Sequence, residues 1–300
     1  MADQLLRQIG IVSQTQVVPF AQVAQISAAL QKQVTRDVAP IWNVTATVDP
    51  FEKVEDVPLG TWTILLKDAT GYYSPGVHLD SNGQPYALVH GQADHDKLSL
   101  AVSHECIEML VDPFGKRLIA GDSPSPEQGR VLFLVEVCDP SEAMTFAYTV
   151  NGVVVSDFYT PAFFEPVTAA GVRYSYGGHI QEPRSILEGG YLSWMLPDSR
   201  VWWQKSWFGI AGPVTEPVGR MESDAFRSKL DRVTAEGRAR AMGSTRAAAQ
   251  LPPFEHSRNA QIAQARLLEA SIADLEERER KRQKRAGPRQ DLPNAPPPNV

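Results

Sequence analysis

Apolar residues first recur at helical spacing in residues 19–38, PFAQVAQISAALQKQVTRDV, where Phe20, Val23, Ala24, Ile26, Leu30 and Val34 share a face. Pro19 suits a first turn, and Pro40 is expected to end the helix. The pattern then alternates. NVTATVDPF (43–51), TWTILLKD (61–68) and PYALVHG (85–91) read as strands, and GYYSPGVHLDSNGQ (71–84) reads as a turn-rich loop between the last two. From an N-cap at Asp94 or Asp96, KLSLAVSHECIEMLVD predicts a helix to Asp112, stopped by Pro113. VLFLVEVCD (131–139) predicts a buried strand. MTFAYTV and VVVSDF, joined by Asn151-Gly152, predict a β-hairpin with a type I′ turn.

Aromatic and glycine-rich sequence continues to about residue 210, and there the composition shifts to Ala, Arg and Glu. Residues 1–212 are expected to form the folded α+β domain, with a β-hairpin-rich second half. Residues 213–286 are expected to form a helical appendage, and 287–300 a disordered, proline-rich tail.

Forty-three per cent hydrophobic residues can fill a core, and a formal charge of -6 gives no reason to expect nucleic-acid binding. The two cysteines, Cys106 and Cys138, lie in apolar surroundings and read as reduced core thiols rather than a disulfide or zinc ribbon. No signal peptide is recognisable and no apolar run is long enough for a membrane span, so a cytoplasmic location is expected, either free or within a larger particle. Trp194, Trp202, Trp203 and Trp207 read as core and packing surface.

The segment AVSHECIEML (101–110) introduces chemistry. Residues four apart share a helix face, so His104 and Glu108 can address one ion while Glu105 turns aside. Imidazole nitrogen and carboxylate oxygen are both ordinary zinc ligands, and an unligated Glu105 could act as general base. Asp112 continues the stripe. Eight residues of helix span about 12 Å, so it belongs behind the ligands or in a structural bond to the next loop. The third ligand is therefore expected from Glu136 or Asp139, since a carboxylate amid Leu132-Phe133-Leu134-Val135 needs a reason to be there. His90 and His95 are weaker candidates. His78, His179 and His256 read as exposed, and Asp157 as a strand-end carboxylate.

The order of helix, strands and a His-Glu helix near residue 100, with SHECIEMLVDP, EVCDP and GVVVSDFYTPAFF, resembles a zincin-like metallopeptidase domain of uncharacterised bacterial and phage-associated proteins. The resemblance covers residues 18–165. It implies a twisted mixed sheet over the active-site helix, with an edge strand lining the substrate cleft. It assigns His104 as the first ligand and Glu105 as the base. Glu108 stands where the usual HExxH motif has its second His, giving HExxE, and Phe114 occupies the metzincin third-ligand position.

Two functions follow. The first is a zinc-dependent hydrolase of peptidase type, holding one ion and acting on a peptide or protein, with Tyr148, Tyr159 or Tyr174 available to hold the oxyanion. The second is a non-catalytic zincin-like structural or assembly protein, such as a component of a phage-like particle. Under either, the C-terminal helices, ending in the basic run RERKRQKR, could engage an assembly partner.

Overall fold

The computed structural model describes residues 6–71 and 74–221, together with Leu230 and the isolated positions 273, 277, 280 and 281. The expected appendage therefore lies almost wholly outside the described residues, as does the proline-rich tail. The chain divides into two units. One, Met1–Thr168 with Arg173–Glu255, carries every element named below. In the other, Ala169–Val172 with His256–Val300, the described backbone makes a turn in which Val172 N donates to Ala169 O (3.3 Å).

The first unit is α+β. Its first sheet combines β1 (Arg7–Ser13), β2 (Ala46–Phe51), β3 (Trp62–Lys67), β4 (Gly76–Ser81) and β5 (Gln84–His90) in the order β2-β1-β3-β5-β4. Strands β1, β2, β3 and β5 run parallel, and β4 is an antiparallel edge. Ile9, Ile11, Ile64, Leu66, Ala87 and Val89 are fully buried. Each large aliphatic side chain so buried contributes about 1.5–3 kcal/mol relative to exposure.

Two of these strands escape the hydrophobic pattern. β1 is a short run ahead of the first helix. β4 lies inside the segment expected to be a loop, and the correction has a local cause. Asn82 and Gly83 both adopt positive φ (52° and 77°) between paired Ser81 and Gln84, which is a type I′ hairpin turn.

The first helix, α1 (Phe20–Gln33), widens into a π-helical segment at Val34–Val38 and continues as α2 (Ala39–Trp42) to Asn43, whose left-handed conformation caps it. Pro40 therefore does not end the helix as expected. It sits in the first turn of α2, where a missing N–H is tolerated. The π turn also carries Asp37 into full burial.

Helix α3 (His95–Val111) starts at Asp94, whose carboxylate accepts from Lys97 N at 3.2 Å. Every residue from Leu98 to Val111 is buried, against β4, β5, α1 and the hairpin described next. A helix buried all round has no solvent face for charged residues, so His104, Glu105 and Glu108 are interior groups.

The hairpin pairs β8 (Tyr148–Val150) with β9 (Val153–Val155) across Asn151 and Gly152, both with positive φ, as the sequence predicts. A second, antiparallel sheet runs in the order β12-β11-β10-β7-β6. Its strands are β6 (Leu118–Asp122), β7 (Arg130–Leu134), β10 (Tyr191–Met195), β11 (Val201–Ser206) and β12 (Val214–Arg220). β12 carries this sheet past residue 212. Trp194 and Trp202 are core, the latter packing with Leu134 and Leu230. β7 stops at Leu134, short of the strand expected to reach 139, and the freed backbone of residues 135–138 turns toward α3. No helix among the described residues is long and apolar enough to cross a membrane.

Candidate metal centre

Three segments converge beside the middle of α3. The helix supplies His104, Glu105 and Glu108; the loop after β7 supplies Glu136, Cys138 and Asp139; the edge strand β4 supplies His78. Backbone hydrogen bonds set the loop in place. Tyr159 N donates to Val137 O at 2.7 Å, joining the EVCDP segment to the DFYTP segment. Cys138 N donates to Glu108 Oε1 at 3.1 Å, so main chain from the loop fixes the carboxylate on the helix.

Glu108 Oε2 and Asp139 Oδ1 flank His104 Nε2 at 3.2 and 3.3 Å. Two donors held 2.0–2.1 Å from one zinc ion at the tetrahedral angle stand about 3.3–3.4 Å apart. These spacings fit ligands of one ion as well as they fit long hydrogen bonds. Glu136 joins Glu108 and Asp139 in a second grouping, and Glu142 joins His104 and Asp139 in a third; in each, one ligand atom per residue lies within 4.8 Å of the others. All are buried, from fully for Glu108 and Glu142 to 6% exposed for Glu136.

The electrostatics point the same way. Burial opposes charge on His104, yet Glu108 and Asp139 more than offset it, and the imidazole is raised well above its ordinary range. The space between these carboxylates thus favours a cation, whether a proton or a metal. The Cys138 thiol is pushed well up by burial first and by Glu108 next, and it donates to His104 O at 3.8 Å. Cys106 is pushed to about 12 by burial alone, consistent with a core thiol.

Tyr159 supplies the clearest polar vacancy. Its ring stacks on Phe163 (centroids 4.3 Å apart) and meets Phe164 edge-on, while Trp42 Nε1 donates to its carbonyl at 3.0 Å. The hydroxyl is buried and makes no hydrogen bond among the described residues. Burial, then the charges of Glu136, Glu108 and Asp139, hold its ionisation well above the usual range, so it remains a donor. An orphaned donor beside a carboxylate-rich His site fits a ligand-bearing centre. Tyr148, another of the tyrosines named from the sequence, is less apt. Tyr148 is committed to Asp37 at 2.9 Å, whereas three of the four candidate ligands shape the environment of Tyr159.

Asp112 is placed in the structural bond foreseen for it. Its carboxylate accepts from Lys116 N (3.1 Å) and Arg117 N (2.7 Å), closing the loop after α3. His90 is exposed and His95 pairs with Gln22 Nε2 at 2.9 Å, so neither joins the cluster.

His78 corrects the sequence reading. It is fully buried rather than exposed, with Nε2 2.9 Å from Asp112 O and Nδ1 3.5 Å from Glu105 Oε2. The Asn-Gly turn that creates β4 was the signal that could have found it. Glu142 had a weaker one, an acidic residue one 3₁₀ turn after Asp139. Likewise Asp157 is fully buried and His179 half-buried. The Asp157 carboxyl is raised by burial and accepts from Gly177 N at 2.7 Å.

Glu105 is placed by its neighbours on β4. A Cβ at position 76 would stand 2.6 Å from Glu105 Cγ, so only glycine lets the edge strand pass this close to the carboxylate. Comparison of the chain with protein-family models, curated proteins and solved structures gave no match.

Proposed function

We propose that this protein is a metal-dependent hydrolase of zincin type, acting on a peptide or protein through one zinc ion. The observation that carries the reading is the pair of spacings at His104 Nε2, to Glu108 and Asp139, within a site that favours a cation. The sheet agrees with what the resemblance implies: four parallel strands, an antiparallel edge, and the His-Glu helix packed against that edge strand.

In this reading His104 and two of the carboxylates beside it hold the ion: Glu108 and Asp139 each stand within 3.3 Å of His104 Nε2, and Glu136 groups with Glu108 and Asp139. When bound, the ion supplies a Lewis acid that polarises a carbonyl and lowers the pKa of water. Glu105, beside the ligands but directed at β4, accepts the proton of the attacking water. Tyr159 O–H donates to the carbonyl oxygen as negative charge develops there. Burial strengthens both interactions, because competing water is excluded. The exchange of the usual second His for Glu108 adds negative charge, which softens Lewis acidity and widens tolerance toward harder metals such as manganese.

Elemental analysis of untagged protein tests this. Zinc is expected in the wild type and lost in His104→Ala and Glu108→Ala. Glu105→Gln is expected to retain metal while a peptide-cleavage screen loses about 10²–10⁴ in rate. Absence of bound metal after zinc is supplied would sink the hydrolase reading and leave a domain with a structural or assembly role.

A further inference from the structure

We infer that residues 177–190 form a two-position gate over the metal centre, seated here on the turns that carry Asp139 and follow Tyr159. The gate deepens the hydrolase reading, on which its purpose rests, because it is the way a substrate reaches that site.

Burial creates the need for it. His104, Glu105, Glu108, Glu136 and Asp139 are each 6% exposed or less, and the Tyr159 hydroxyl is buried with them. A peptide has to touch both the ion and that hydroxyl, so part of the wall has to move before it binds.

The backbone marks the segment that moves. It holds no helix or strand, and two diglycines bound it, Gly177-Gly178 and Gly189-Gly190. Ile180 and Ile186 are its buried apolar anchors. The rest of its seat is mainly main chain. Leu187 N donates to Pro140 O at 2.9 Å, and Arg184 N donates to Phe163 O at 2.9 Å. A Cβ at position 190 would stand 2.5 Å from Pro140 O and 2.7 Å from Asp139 O, so the segment lies directly against the turn that presents the Asp139 carboxylate. The Arg184 guanidinium donates to the carbonyls of Phe164, Glu165 and Pro166, beyond Tyr159.

The seated position is held against a cost. Arg184 has a φ of 58°, the left-handed region that a β-carbon disfavours. At the root of the segment, Asp157 Oδ2 and His179 Nε2 are buried without hydrogen-bond partners among the described residues. They are neighbours across one α-carbon: a Cβ at position 177 would meet Nε2 at 3.1 Å and Asp157 Cγ at 3.4 Å. Asp157 Oδ1 already accepts from Gly177 N at 2.7 Å, which leaves Oδ2 for the ring. The pair bonds whichever partner carries the proton, imidazole N–H to carboxylate or carboxyl O–H to imidazole. Rotation about Gly177-Gly178, where no β-carbon restricts the backbone, closes this latch and lifts the following residues from Pro140. Seat and latch therefore compete, because the bond made in one position is missing in the other.

Hydrogen–deuterium exchange of the full-length protein, stripped of metal so that the gate and the hydrolase reading fail separately, reads the opening. The Leu187 and Arg184 amides are expected to exchange at least about tenfold faster than amides in the middle of α3. His179→Phe keeps a ring against Phe146 (centroids 5.4 Å apart in the wild type) and removes the latch nitrogen, so exchange at both amides should slow about tenfold. Cys138 is buried, and its N–H donates to Glu108. In a Cys106→Ser background its reaction with a thiol reagent should slow by the same factor, because the reagent enters by the same opening. Leu187 and Arg184 amides as slow as those of α3 in the wild type overturn the gate, whether or not the variant folds. Unchanged exchange in a folded His179→Phe protein overturns the latch and with it the second position. Slower exchange with Cys138 reactivity unchanged overturns the gate as well, since the segment then moves without uncovering the centre. Passing all three tests in a protein that never takes up zinc would sustain the opening and remove only the hydrolase reading.

Discussion

Two buried polar clusters meet α3, and they treat carboxylates differently. In the first, Asp37 accepts from Arg36 Nε (2.5 Å) and Nη2 (2.8 Å), Tyr176 O–H (2.8 Å) and Tyr148 O–H (2.9 Å). Gln33 extends the network from Tyr148 to Ser103 on α3, and Ser103 Oγ in turn accepts from Ser156 N. One carboxylate is thus answered by a guanidinium and two phenols. In the second cluster, Glu105, Glu108, Glu136, Asp139 and Glu142 lie with His78 and His104, five carboxylates and two imidazoles among the described residues. Asp37 is matched donor by donor, whereas the second cluster gathers five carboxylates around two imidazoles at spacings that suit a bound cation.

The sharpest way to break this contrast is to remove the matched carboxylate. Asp37→Ala leaves Arg36 and two phenols without their acceptor, and removing one partner of a buried ion pair costs about 3–5 kcal/mol. Urea denaturation should register that loss, while the folded variant keeps the wild-type metal stoichiometry. A loss below about 1 kcal/mol would mean that the network is not the structural anchor described here.

The second cluster should respond to metal instead. Zinc at about a hundred times its dissociation constant stabilises the folded state by about 2.7 kcal/mol, provided the unfolded chain does not bind it. Thermal melting is therefore expected to rise with zinc and fall with a chelator in the wild type. The rise should disappear in Asp139→Asn and persist in any Asp37 variant that folds. Melting curves indifferent to zinc and chelator would erase the distinction between the clusters.

How much of this was legible beforehand differs by element. The α3 helix and its cap were legible because a charged stripe interrupts an otherwise apolar run bounded by Asp94 and Pro113. His104, Glu108 and Asp139 could be named because helical spacing and a carboxylate after a buried strand are local signals. The Asn151-Gly152 hairpin was read; the identical dipeptide at 82–83 was not, because glycine and proline nearby suggested a loop, and with it β4 and His78 were missed. Pro40 misled in the opposite direction. A π turn ahead of it lets the helix continue, and the turn goes with a buried Asp37 whose partners lie 111 and 139 positions away, which no local pattern carries. The convergence of β4, α3 and the loop after β7 is likewise a product of sheet topology. Sequence spacing names the ligands on one helix, but it cannot say which distant strand faces them.

Tyr159→Phe offers the smallest perturbation and the finest separation of structure from function. The substitution keeps the ring, its stacking on Phe163 and its edge contact with Phe164, and removes only an oxygen that has no hydrogen-bond partner among the described residues. A hydroxyl buried without a partner contributes nothing favourable to folding, so stability should change by less than about 0.5 kcal/mol, and toward greater stability if at all. Zinc stoichiometry should be unchanged, because no proposed ligand is touched. If the hydroxyl donates to the developing oxyanion, the peptide-cleavage rate falls by about 10²–10³, with the loss in kcat rather than KM because the interaction strengthens only in the transition state. A Tyr159→Phe protein that melts well below the wild type would instead place the hydroxyl in the structural class of Tyr148 and Tyr176. The two clusters would then differ in charge alone, and the oxyanion role would have no residue to carry it.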